Sequence, residues 1–283
     1  MEHTEHDYPP RHKSGHYRFI AAVVRPILNA LGRKRWSGTE NLPAEGGFIV
    51  ASNHLCNLDP LTVAHMLYNN GAPPRILAKS ELWRMPIIGP TMRHSHMIPV
   101  ERGTRTAADS LVAAEAAIAH GEAVFIYPEG THSKDPDKWP MVARTGVARL
   151  ALATGAPVIP VAQWGAHLVM PNHKPWFRPW AQPKFQVLVG TPVDLADLIG
   201  RSDHEALVEA TARIMRAITA LLARLRGETP PEIPWDHRRG GRVVREPRPG
   251  SAEARGTDEA RTEQARPDGT ADEAGDTAGE GAS

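Results

Sequence analysis

The chain has 283 residues, 41% of them hydrophobic, enough to bury one substantial core in one or two domains. Its formal charge of +1 hides an uneven distribution, with seven Lys/Arg against three Asp/Glu in residues 1–36, five Arg against Glu246 in 238–248, and nine acids against three Arg in 250–283. The single cysteine, Cys56, excludes an intramolecular disulfide and a cysteine-based zinc knuckle, and the polar, His-rich N-terminus does not read as a signal peptide.

The first apolar run, Tyr17–Gly32, is broken by Arg25 and Pro26 and is shorter than the ~20 residues a membrane span needs. It predicts an amphipathic helix lying on a membrane, with Phe19, Ile20, Val23, Val24, Ile27, Leu28 and Leu31 inserted. Arg18, Arg25, Arg33, Lys34 and Arg35 would meet anionic headgroups. The same pattern also suits a helix docked on the core.

From Phe48 the sequence alternates strand and helix signals, which predicts an α/β domain with a central mixed β-sheet flanked by helices. The expected strands are Phe48–Ser52, Arg75–Ala78, Met97–Val100, Ala123–Tyr127, Val158–Ala162 and Phe185–Val189. Each is short and apolar, as strands covered on both faces are. Helices are expected at Thr106–Ala119, Thr145–Thr154 and Asp203–Arg226, the last with capping-box spacing at Ser202 and Glu205 and Gly227 just past its end. Residues 238–283 hold no aromatic residue, and Val243 and Val244 are their only large aliphatics. That composition predicts a disordered tail. The expected division is residues 1–36 as a membrane-associating segment, 37–235 as the α/β domain and 236–283 as the tail.

Two blocks carry chemistry. In Asn53-His54-Leu55-Cys56-Asn57-Leu58-Asp59, at the end of the first expected strand, the turn lets Asp59 accept from one ring nitrogen of His54. The other nitrogen is then free to take a proton, work that suits an imidazole, which ordinarily titrates near about 6.5. Asp59-Pro60 also has the look of a helix start, so a structural role for Asp59 stands beside the catalytic one. The second block, Pro128-Glu129-Gly130-Thr131-His132-Ser133, follows the strand ending at Tyr127. Active sites of α/β folds gather at the carboxyl ends of strands, and glycine there lets backbone approach a ligand.

Together these blocks resemble the 1-acylglycerol-3-phosphate acyltransferase family of the wider glycerolipid acyltransferase superfamily. Its N-H-x4-D block is matched by Asn53, His54 and Asp59. Its strand ending in arginine is similar to Ile98-Pro99-Val100-Glu101-Arg102, and its Pro-Glu-Gly-Thr turn matches Pro128–Thr131. Its proline-containing strand is similar to Val158-Ile159-Pro160-Val161. The resemblance covers about residues 36–227 and implies that His54 deprotonates the free hydroxyl of a lysophospholipid, most simply 1-acylglycerol-3-phosphate, giving phosphatidic acid. The hydroxyl would attack an acyl thioester, acyl-CoA or acyl carrier protein, with no cofactor and no acyl-enzyme, so Cys56 is a bystander. Arg102, Glu129, Gly130 and Thr131 would bind the acceptor, with Lys79 and His132 as further candidates. The family usually has arginine at position 132. Either Arg102 and Lys79 carry the phosphate, the reading favoured here, or the acceptor is another lysophospholipid or membrane alcohol with less charge.

The rival from another class is a His/Asp metal-dependent hydrolase, with His94 and His96 joining His54 and Asp59, but no His-Glu-x-x-His block supports it. Arg238–Arg248 reads as a solvated or membrane-proximal run rather than a nucleic-acid site. The expected location is the cytoplasmic face of the cell membrane, bound peripherally to an anionic surface.

Overall fold

The computed structural model describes residues 15–100, 106–171 and 177–242, with residues 106–108 given by their backbone alone. Seven strands form one sheet: β1 (Arg33–Ser37), β2 (Phe48–Ser52), β3 (Pro74–Lys79), β4 (Ile98–Val100), β5 (Ala123–Ile126), β6 (Val158–Trp164) and β7 (Lys184–Val189). Their order is β1-β7-β6-β2-β5-β3-β4. The β6–β7 pair is antiparallel and the others are parallel, so the sheet is mixed, as the alternation of elements predicts.

The helices are α1 (Gly15–Leu31), α2 (Asp59–Asn69), α3 (Ile88–His94), α4 (Thr106–Ala119), α5 (Gly146–Thr154), α6 (Ala166–Val169) and α7 (His204–Arg226). Every residue of β2 is buried because its two faces are covered by different helices. Ile49 and Ala51 pack with residues of α4, α5 and α7, including Ala114, Leu150, Ile214 and Ile218. Phe48 and Val50 face the other way, onto Val63, Met66 and Leu67 of α2. Burying side chains such as Ile214 and Ile218 contributes about 1.5–3 kcal/mol each.

Three expectations change. Helix α7 is capped by Asp203, whose carboxylate accepts from the Ala206 N–H at 3.0 Å, and not through Ser202 and Glu205. Helix α1 has two apolar stripes rather than one. Leu28 and Leu31 are buried with Leu58 and Phe185, while Phe19, Val23 and Ile27 are exposed, so only part of the expected set is free to meet lipid. The basic flank of that helix, Arg33–Arg35, is edge strand β1 paired with β7, so the α/β unit begins before residue 37. Consecutive charged residues on an edge discourage pairing with another chain.

At the other end the chain stays packed beyond residue 235. Met141 bridges Trp235, and Arg242 pairs with the buried Asp135 at 2.7 Å. Residues 243–283, most of the expected tail, lie outside the described residues, as do residues 1–14.

Candidate active site

Strand β2 lies between β6 and β5, and its carboxyl end opens into the loop that carries His54. Asn53 anchors the start of that loop. Its side-chain Oδ1 accepts from the Gln163 backbone N–H at 2.9 Å and its Nδ2 donates to the Gln163 backbone carbonyl at 3.1 Å, tying the loop to β6. Asp59, the first residue of α2, is fully buried. Its side chain turns back from the helix into the loop instead of capping. One carboxylate oxygen accepts from His54 Nδ1 at 3.1 Å, from the Cys56 N–H at 2.7 Å and from the Leu55 N–H. The other accepts from the Cys56 thiol at 3.0 Å.

That arrangement sets the tautomer. With Nδ1 donating to a carboxylate, the proton sits on Nδ1 and Nε2 presents a lone pair. The imidazole stacks on Tyr127, ring centroids 3.8 Å apart and planes 14° from parallel, and the His132 ring lies 4.2 Å away. The His54 side chain is 14% exposed, and that surface opens into a cavity. Cys56 is buried, and burial together with the Asp59 carboxylate pushes its thiol far above the ordinary range, which removes it as a nucleophile.

The second block meets the first through strand register. Ala51 of β2 pairs with Ile126 of β5, and His54 and Glu129 follow them at equal offsets. Glu129 is buried, and its two oxygens accept from the backbone N–H of His54 at 3.1 Å and of Met141 at 3.0 Å. Burial pushes its carboxyl up to about 8, against the pull of those two hydrogen bonds. Glu129 therefore positions the His54 loop rather than facing the cavity. The Ser133 N–H closes the junction on the His54 carbonyl at 2.7 Å.

The cavity has a volume of about 1190 Å³, above the ~300–1,000 Å³ of usual small-molecule sites. Its polar lining includes His54, Thr131, His132, Arg25, Lys79, Arg144 and Arg149, together with Gly130. Its apolar lining includes Ile20 and Val24 of α1, Leu61 of α2, Met92 of α3 and Leu111 of α4. Lys79 is 53% exposed and pairs with Glu81 at 2.8 Å. Arg102 lies outside the described residues. An imidazole base with a buried orienting carboxylate, on the wall of a large, mainly apolar cavity, can deprotonate a hydroxyl carried by an amphiphile.

A family model described as Acyltransferase matches residues 33–164, from β1 to the end of β6. The 1-acyl-sn-glycerol-3-phosphate acyltransferase of Bacillus subtilis is 27% identical over 211 residues, 74% of this chain and 98% of that protein. The enzyme of the same name from Borreliella burgdorferi is 32% identical over 132 residues, 46% of this chain and 51% of that protein. These matches support the 1-acylglycerol-3-phosphate acyltransferase family. The fold is also that of the Thermotoga maritima 1-acyl-sn-glycerophosphate acyltransferase PlsC, with a TM-score of 0.57 at 22% identity, covering 76% of this chain and 83% of that one.

In this acyltransferase the structure brings His54, Asp59, Glu129, Gly130, Thr131 and His132 together. Among the described residues no three His, Cys, Asp or Glu side chains converge as a metal site, so His94 and His96 do not join His54. Sequence reasoning missed Tyr127, although it closes the strand before the second block. It also missed Arg144, which reaches the site only through the fold.

Proposed function

We propose that the protein transfers an acyl chain from acyl-CoA or acyl carrier protein to the free hydroxyl of 1-acylglycerol-3-phosphate, giving phosphatidic acid. The observation that carries this reading is the His54–Asp59 pair, whose imidazole opens onto a mainly apolar cavity with cations in its lining. His54 Nε2 takes the hydroxyl proton as the oxygen attacks the thioester carbonyl. The tetrahedral intermediate expels the thiolate as the C–S bond breaks, and the imidazolium returns its proton to that sulfur. Asp59 stabilises the imidazolium between the two steps. The chemistry calls for no cofactor or metal. The relatives' names support the acceptor, since proteins called 1-acyl-sn-glycerol-3-phosphate acyltransferase align with 74% and 57% of this chain.

The acceptor lives in a bilayer, and among the described residues no helix is long and apolar enough to cross one. Peripheral binding through α1 at the cytoplasmic face fits its form, with Phe19, Val23 and Ile27 outward and Ile20 and Val24 on the cavity wall. Acyl transfer by purified protein tests the reading, with 1-acylglycerol-3-phosphate compared against other lysophospholipids and membrane alcohols and the products resolved by mass. Phosphatidic acid as the main product is the expected result; exclusive use of another acceptor refutes it.

A further inference from the structure

We propose that Arg144 binds the phosphate of the acceptor, taking the work that the family pattern gives to position 132; this rests on the reading of 1-acylglycerol-3-phosphate as acceptor. The chain leaves the Pro128–Thr131 turn and returns to it, and the Arg144 N–H donates to the Pro128 carbonyl at 3.0 Å. Position 144 is thereby fixed beside the turn. The side chain then crosses the bare face of Gly130, where a Cβ would stand 3.3 Å from Arg144 Nε and 3.4 Å from Cδ. Gly130 has φ +68°, so both its backbone and its missing side chain suit this crossing.

Arg144 lines the same cavity as His54 and His132. Its charge is uncommitted: among the described residues no carboxylate pairs with it. Lys79 is engaged by Glu81, and Glu129 has both oxygens on backbone N–H groups. A guanidinium offers a planar fork that meets two phosphate oxygens at once, which a histidine ring cannot do. The absence of arginine at 132 is thus answered from a loop residue that only the fold brings to the site.

The test measures KM and kcat for 1-acylglycerol-3-phosphate, and for the phosphate-free 1-acylglycerol, with the full-length native protein, Arg144→Gln and Arg144→Lys. Thermal midpoints serve as the control for folding. Arg144→Gln should raise KM for the phosphate-bearing acceptor by about tenfold or more with kcat nearly kept, and Arg144→Lys should recover part of it. A folded Arg144→Gln protein with KM within about twofold of native overturns the proposal. If Arg144→Gln does not fold, an unchanged KM in Arg144→Lys, which keeps the charge but loses the fork, overturns it equally. A phosphate-dependent native enzyme unmoved by either variant removes only the assignment to Arg144. A native enzyme that uses both acceptors alike removes the acceptor reading together with it.

Discussion

Glu129 holds the backbone of His54 across neighbouring strands, accepting its N–H at 3.1 Å with one oxygen and that of Met141 at 3.0 Å with the other. Burial pushes this carboxyl from about 4.5 to about 8, with the Asp59 and Asp135 carboxylates adding to the push. The folded protein therefore keeps a proton that the unfolded chain releases above about 4.5. The stability from that proton is complete below the unfolded value and declines as pH rises through the folded one. His65 and His167 are depressed to about 4 by burial, so their contribution changes only below about 6.5. Between pH about 6.5 and 8 the native protein should lose denaturation free energy that Glu129→Gln does not lose. Parallel curves for the two proteins would contradict this. Glutamine also turns an N–H group toward a backbone N–H, so turnover should fall about ten- to a hundredfold through misplacement of His54.

The two stripes of α1 separate lipid contact from folding. Replacing Phe19, Val23 and Ile27 together by serine should weaken sedimentation with anionic vesicles and leave the thermal midpoint nearly unchanged, because all three are exposed. Removing residues 1–36 should instead unfold the domain, since it takes Leu28, Leu31 and most of β1 with it. Unaltered vesicle binding by the triple variant would locate the anchor elsewhere.

Arg242 has a structural part that composition conceals. Its guanidinium donates to both oxygens of Asp135, at 2.9 and 2.7 Å, and the Asp135 side chain is fully buried. Truncation after residue 242 should leave the thermal midpoint unchanged. Truncation after Trp235 should lower stability by about 1–3 kcal/mol, the cost of leaving a buried carboxylate without its partner. Equal midpoints for the two truncations would show that the pair contributes nothing.

What the sequence disclosed follows from where each signal is local. Strands β2, β5 and β6 are buried apolar runs between turn residues, and their burial on both faces is what makes them readable. The His54–Asp59 pairing was legible because both residues belong to one turn. Strand β1 was not, because Arg33-Lys34-Arg35 shows no apolar alternation and is held by pairing with β7. Glu129 was found, but its direction was not: which way a carboxylate turns depends on Met141, twelve residues away. Arg144 gave no local signal, since only closure of the loop onto Pro128 brings it beside Gly130.

In the proposed reaction His54 takes the acceptor proton while Asp59 holds the imidazole. The direct measurement is single-turnover acyl transfer to 1-acylglycerol-3-phosphate by the native protein, His54→Ala and Asp59→Asn, each with the native thermal midpoint. His54→Ala should be slower by at least about a hundredfold with little change in acceptor KM, the mark of a lost general base. Asp59→Asn should also be impaired, because an amide cannot stabilise the imidazolium as a carboxylate does. A folded His54→Ala protein that transfers acyl chains at near-native rate would contradict the mechanism.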